Sequence, residues 1–200
     1  MSNSAANVTA GKPAVAGSIY TALTSANPTI PTTADAALSG FDLLGYISED
    51  GVTRAQEISS EAIKAWGGDT VLYTRTGKDT SFTFKMLEYL SDIVQKVIYG
   101  ASNVSGSLAT GLSISDKASF AGEDRAWIIE MVMTGDVKCR IVIPHGIITS
   151  IGEIKYADAE AAGYEITIGA TPDSSGVTVH EYLKKPASGN SGDSGNSGNS

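Results

Sequence analysis

Two glycine-centred turn signals, Asp50-Gly51 and Gly67-Gly68, lie in a stretch that is otherwise rich in apolar and β-branched residues. Glycine adopts positive φ without steric cost, so both pairs favour tight turns. The residues beside each pair can extend as β-strand. The sequence therefore predicts a long protruding loop or hairpin arm within residues 45–76. An element of this kind usually contacts a partner rather than a substrate.

The predicted arm carries the residues that we expect to contact another subunit. An exposed tryptophan is a typical anchor of a protein interface, although simple local packing is an equal alternative for Trp66. Between the two turn signals, residues 59–66 can form a single helical turn with a serine as its cap. The predicted contact residues are Tyr46, Asp50, Gly51, Trp66, Gly67 and Gly68.

Charge and composition exclude some classes of function. The 200-residue chain has a formal net charge of −8, which argues against wrapping nucleic acid, because that requires clustered basic residues. A negative surface repels DNA, which is useful where DNA passes without binding, although solubility alone also explains the charge. A single cysteine, Cys139, excludes an intramolecular disulfide framework. No apolar run is long enough to span a bilayer, and the polar N-terminus does not read as a signal peptide.

The middle of the chain has clear strand and helix patterns. Residues 71–76 and 79–86 read as strands joined by a turn at Gly77, and the second run alternates apolar with polar side chains. Apolar residues at three- and four-residue spacing then predict a helix over about 90–99, with Ser91 as N-cap and Gly100 as its end.

The second half of the chain reads as nearly all β. Strands are predicted over 126–133 and 137–143, with a turn near Gly135-Asp136, and Pro144 is expected to end the second strand or to mark a sheet edge. Further strands are predicted over 147–151, 164–168 and 177–182. The predicted fold is thus mainly β: an antiparallel β-sandwich or partial barrel with one flanking α-helix and a long protruding arm.

We expect three regions along the chain. Residues 1–40 form an extended N-terminal arm with a first short strand over 17–22, and residues 41–185 form the β-sandwich domain. Residues 186–200 form a disordered Ser/Gly/Asn tail, since they offer almost no apolar side chain to bury.

No catalytic, cofactor-binding or metal-binding residues are predicted. His145 and His180 are far apart in sequence and lack the neighbouring ligands of a metal site. The sequence around Gly77-Lys78 lacks the earlier glycine and the following Ser or Thr of a phosphate-binding loop, and no nucleophile elbow is present. We expect the protein to be neither an enzyme nor a cofactor carrier.

Several short segments, taken in order, resemble one protein family. They are residues 44–53 (LGYISEDGVT), 65–69 (AWGGD), 82–100, 140–144 (RIVIP), 163–167 (GYEIT) and 172–176 (PDSSG). In this order and spacing they are similar to the major tail tube proteins of long-tailed, siphovirus-type bacteriophages.

The resemblance implies hexameric rings that stack into a hollow tube, through which DNA passes during ejection without specific binding. It implies that the arm reaches adjacent subunits and the next ring. Open sheet edges and a heterologous interface are what such a polymer requires. Further implied partners are tape measure, tail tip and terminator proteins, with assembly in the host cytoplasm and a final place in the virion tail. Many relatives also carry an immunoglobulin-like C-terminal domain, whereas this chain has the Ser/Gly/Asn tail.

Acidic residues that line such a bore would keep DNA from adhering. The candidates lie on or beside predicted strands: Glu130, Asp136, Glu153 and Glu165. Two alternatives remain open, namely a virion decoration protein or adhesin-like binding module, and a subunit of a related secretion or injection tube.

Overall fold

The fold is mainly antiparallel β-structure with a single α-helix in the part of the chain that is described, as the sequence predicts. The structure is a computed structural model that describes residues 8–14 and 18–186. The Ser/Gly/Asn tail predicted over residues 186–200 lies, apart from Pro186, outside the described residues. The elements are β1 (Gly11–Pro13), β2 (Ile19–Leu23), β3 (Asp42–Leu43), β4 (Ile47–Lys64), β5 (Thr70–Met86), α1 (Asp92–Tyr99), β6 (Val104–Ser107), β7 (Gly111–Ile114), β8 (Arg125–Met133), β9 (Val137–Ile151), β10 (Tyr164–Thr171) and β11 (His180–Lys184).

One large sheet contains most of the strands. Its order is β3-β2-β8-β9-β10-β5-β4, with β1 paired to β8 and β11 paired to β9, while β6 and β7 form a separate hairpin. One edge of β9 pairs with β8, and the opposite edge is shared by β11 along residues 138–142 and by β10 along residues 145–151. Within the described residues the sheet does not close into a barrel.

The core lies between the inner face of this sheet and the helix. Phe82, Phe84 and Met86 of β5 are buried, which confirms the alternation read from the sequence. Trp127 is fully buried, and its indole N–H donates to the carbonyl oxygen of Gly146 at 3.0 Å. The helix contributes the buried side chains of Val94, Gln95, Val97 and Ile98.

The helix is confirmed within the predicted bounds. Ser91 occupies the N-cap position with extended backbone angles, but its side chain makes no capping hydrogen bond. Gly100 follows the last turn with a φ of 88°, a conformation that glycine adopts without penalty.

Three local predictions around the arm are wrong. Residues 59–64 belong to β4 and form no helical turn, and β5 runs without a turn through Gly77. Asp50-Gly51 does not close a hairpin; it causes an irregularity in the β4–β5 register between Ile47 and Val52, with Gly51 at a φ of 71°. Cross-strand pairing along the whole hairpin overrides these local preferences.

Pro144 does not end a strand, because β9 continues to Ile151. The proline lies where the neighbour on one edge of β9 changes from β11 to β10. On the other edge, the β8–β9 register shifts between Arg125 and Trp127. The backbone hydrogen-bond ladders on both edges of β9 are therefore interrupted near Pro144. Because the proline has no N–H to donate, it is tolerated inside the strand at this point.

Candidate functional site

The predicted arm is a two-stranded ribbon that extends beyond the sheet. β4 and β5 pair from Ile47 and Met86 out to Lys64 and Thr70, whereas β10 pairs only with Thr80–Met86 of β5. Beyond the opposed pair Glu57 and Asp79, no third strand among the described residues joins the hairpin, and it projects by about 25 Å. Residues 57–79 are called the arm below.

The second glycine pair closes the hairpin at the tip of the arm. Gly67 and Gly68 have φ values of 132° and 98°, which non-glycine residues rarely adopt. Two backbone hydrogen bonds complete the turn, from Ala65 N to Asp69 O at 2.8 Å and from Gly68 N to Ala65 O at 3.0 Å. Trp66 lies in this turn with its side chain fully exposed.

Both faces of the arm carry exposed apolar side chains. Ile63 is opposite Leu72, and the neighbouring pair Ala62 and Tyr73 lies on the other face, because successive side chains alternate. An isolated two-stranded ribbon is marginally stable in water, and contiguous exposed apolar surface marks interaction sites. The large apolar side chains exposed on the arm are Ile58, Ile63, Trp66, Val71, Leu72 and Tyr73.

The outer edge of β4 is also free. No strand in the described part of the chain pairs with the edge of β4 that faces away from β5, although β4 is 18 residues long. A long unpaired edge presents backbone donors and acceptors that can pair with another chain.

The arm is nearly neutral, unlike the rest of the chain. It contains three basic and four acidic residues, a net charge of −1, so the remaining residues carry −7 of the total −8. Lys64 and Arg75 make no ion pair with any residue that the structure describes. The arm therefore has little repulsion to overcome when it approaches an acidic body.

An ion pair ties the base of the arm to the end of the sheet. Arg54 Nη1 of β4 lies 3.1 Å from Glu181 Oε2 of β11, and the guanidinium lies 5.6 Å from the centre of the Phe82 ring. Both charged groups are partly exposed, so this pair contributes little to the stability of the fold.

The predicted contact residues separate into two groups. Trp66, Gly67 and Gly68 form the tip, whereas Tyr46, Asp50 and Gly51 lie on the body at the start of β4. The exposed Tyr46 donates its backbone N–H to Glu88 Oε1 at 2.9 Å. Asp50 accepts a hydrogen bond from the Ser48 hydroxyl at 2.9 Å. The role of all six in subunit contact stays a prediction.

The candidate bore acids lie in different environments. Glu130 pairs with the buried Arg140, whose Nε donates to Glu130 Oε1 at 2.8 Å. Asp136 is exposed in the β8–β9 turn, Glu153 is exposed after β9, and Glu165 is exposed on β10. The prediction that these acids face a bore stays open.

Arg140 is a structural residue that the sequence reading missed. Its Nη1 also donates to the carbonyl oxygens of Thr33 and Ala36, both at 2.8 Å, and so attaches the segment before β3 to the sheet. The β8–β9 register places Glu130 directly opposite. A lone arginine among apolar residues in a strand is a signal for such a buried pair, but its partner depends on a register that the sequence does not show.

The two histidines each face a carboxylate beside the same cavity of about 340 Å³. His145 Nδ1 lies 2.7 Å from Asp124 Oδ2, and His180 Nε2 lies 3.5 Å from Asp173 Oδ2. Residues 8–14 and 18–186 contain no group of three His, Cys, Asp or Glu residues arranged to hold a metal ion. In the same two ranges, no helix is long and apolar enough to cross a bilayer.

Comparisons with known proteins place the chain in a family. A search of curated protein sequences finds no significant match. Among solved structures, a chain in the "Cryo-EM structure of the anti-feeding prophage (AFP) baseplate, 6-fold symmetrised" matches at 9% identity, covering 87% of this chain and 97% of that chain. Its TM-score of 0.38 is too low to establish a shared fold. A family model described as phage tail tube protein matches residues 2–190. Because that match covers almost the whole sequence, the chain belongs to the phage tail tube protein family.

Proposed function

We propose that this structural component of a phage tail polymerises through its arm into hexameric rings that stack into a hollow tube. The observation that carries the proposal is the arm itself, which exposes apolar side chains on both faces beside a free strand edge. The arm has no apolar cover within the described chain, and identical copies can supply that cover in a polymer.

The energetics favour a cooperative assembly. Burying the six large apolar side chains of the arm gains on the order of 10 kcal/mol, at about 1.5–3 kcal/mol for each side chain. Association of two proteins costs about 4–15 kcal/mol in lost freedom of motion. One arm contact therefore gives a weak dimer, whereas a closed ring with an arm at every interface is stable. The difference in stability between a single contact and a closed ring suits a tube that grows only from an initiator.

The charge supports passage of DNA without adhesion. Outside the arm the chain carries a net charge of −7, and an acidic bore repels the phosphate backbone. Of the candidate acids, Asp136, Glu153 and Glu165 have exposed carboxylates, whereas Glu130 is neutralised by Arg140.

In this proposal the role of the protein is structural and not catalytic. Assembly takes place in the host cytoplasm, and the tape measure, tail tip and terminator proteins contact the tube along its bore and at its ends.

The test is an arm truncation in which a two-residue Asn-Gly turn replaces residues 58–78. Glu57 and Asp79 are directly opposite each other, so a short turn can join them without disturbing the base of the hairpin. We expect the truncated chain to fold, because Phe82, Phe84 and Met86 and the β10 pairing remain. We expect the intact chain, and not the truncated one, to form rings or tubes of uniform bore in negative-stain micrographs.

Two outcomes would overturn this proposal. Tubes formed by a folded, truncated chain would show that the arm does not carry assembly. An intact chain that stays monomeric at high concentration with an assembly initiator present would exclude a tube subunit. A small closed oligomer that binds a ligand saturably would instead favour the decoration or adhesin-like module.

A further inference from the structure

A large apolar cavity lies at the far end of the body from the arm tip. Its volume is about 940 Å³, and it is lined by residues 87–92, by residues 107–109 of the β6–β7 hairpin and by Ala161 and Ala162. Two of its leucines are largely exposed among the described residues, since Leu90 is 63% exposed and Leu108 is 61% exposed. This cavity is called the receiving cavity below.

The arm tip and the receiving cavity lie at opposite ends of one strand. β5 begins beside the tip at Thr70 and ends at Met86, directly before the residues that line the cavity. A strand of 17 residues spans about 55 Å, so the tip of a chain cannot fold back into its own cavity. Only another copy can bring a tip to this place.

The two surfaces are complementary in polarity. The cavity walls are mainly leucine and alanine, and the tip presents Trp66, Leu72 and Tyr73. The charged residues among those lining the cavity are Glu88 and Asp92, and Asp92 is already paired with Lys96 at 2.7 Å, so Glu88 is the lining carboxylate without an ion-pair partner among the described residues. Lys64, beside the tip turn, has no ion-pair partner among the described residues and can meet Glu88, whereas Arg75 lies farther down the arm, opposite Ser60, and Asp69 adds one negative charge to the turn itself.

We propose that the arm tip of one copy docks in the receiving cavity of another copy, with Trp66 as the anchor. The inference rests on the proposed function and names the surface that receives the arm. Each chain offers one tip and one cavity that face in opposite directions along β5, so the contact is head-to-tail. A heterologous contact of this kind propagates from copy to copy into a ring or an open polymer.

The experiment is disulfide trapping in the assembled full-length chain. Ala65→Cys places a thiol beside Trp66, and Ala109→Cys places one in the receiving cavity, while Trp66 and both exposed leucines are kept. The native Cys139 is buried, and its burial raises the pKa of its thiol to about 11, so it does not compete. The matched control pairs Ala65→Cys with Lys117→Cys, since Lys117 is exposed between β7 and β8, is not among the residues that line the cavity and is not opposite the native Cys139, which lies across from Leu183.

We expect mild oxidation of the first double variant to give a ladder of intermolecular disulfides from dimer upward, and the control to give none. A second measurement keeps the arm native: Leu108→Asp should raise the concentration needed for assembly at least tenfold, and Leu183→Asp should leave it unchanged.

Normal tubes without the ladder and without the Leu108→Asp effect would overturn the inference but leave the proposed function standing. A dimer as the sole cross-linked product would show reciprocal docking and overturn the head-to-tail arrangement. Absence of any assembly by the wild-type chain would overturn both.

Discussion

At the scale of single residues, a buried ion pair shows how environment decides the role of a charge. Glu130 was a reasonable candidate for the bore, because an acidic residue in an alternating strand usually faces solvent. In the structure its side chain is only 20% exposed and pairs with Arg140, which is 6% exposed. Nothing in the sequence near either residue indicates the other, since the β8–β9 register brings them together.

Replacing Arg140 tests this role. We expect Arg140→Met to lower the free energy of unfolding by about 3–5 kcal/mol, because the Glu130 carboxylate then lacks its partner in a mostly buried position. The double variant Glu130→Gln with Arg140→Met should recover much of the loss, since no unpaired charge remains. Urea denaturation of the chain measures both.

The control is Lys117→Met, which removes an exposed lysine that makes no ion pair with any described residue. It should change stability by less than about 0.5 kcal/mol. A similarly small effect for Arg140→Met, or no recovery in the double variant, would contradict the account of this pair.

At the scale of elements, the hairpin shows what a sequence can and cannot specify. Strand propensity and two glycine turn signals predict a long arm. By local sequence alone, however, Asp50-Gly51 and Gly67-Gly68 are equally good turns. The choice falls on Gly67-Gly68 because only that turn lets residues 47–64 and 70–86 pair along their full length. The helix was easier to predict, since its period of apolar residues is a local property. The receiving cavity was not predictable, because it joins three segments that are distant in sequence.

The segment between β2 and β3 is held by a second electrostatic contact. Asp35 accepts hydrogen bonds from Lys184 of β11 and from Lys138 of β9, the latter at 2.9 Å. These contacts lower the pKa of the Asp35 carboxyl from 3.8 to about 2. A group whose pKa is lower in the folded state contributes stability above its unfolded pKa, and this contribution is lost as the pH falls through the folded pKa.

We therefore expect Asp35→Asn to be less stable than the wild-type chain near neutral pH. The difference should shrink below about pH 4 and disappear toward about pH 2, which urea midpoints across that range measure. Asp158→Asn is the control, because Asp158 makes no ion pair within residues 8–14 and 18–186. A difference between Asp35→Asn and wild type that did not change with pH would refute the proposed contact.

At the scale of the whole molecule, the structure separates a covered body from an uncovered arm. Trp127, Tyr164 and the inward side chains of β5 fill the core, whereas nearly every residue of the arm is exposed. In the proposed tube, other copies cover the arm at each interface. The strong negative charge lies outside the arm, so the surface that we propose to meet other copies is nearly neutral, and the acidic remainder repels nucleic acid.

The most direct test of this account is a cryo-electron microscopy reconstruction of tubes grown from the purified chain. The account predicts hexameric rings in which Trp66, Leu72 and Tyr73 of every copy are buried against another copy. A tube whose arms project into solvent, or a preparation that yields only monomers under assembly conditions, would contradict it.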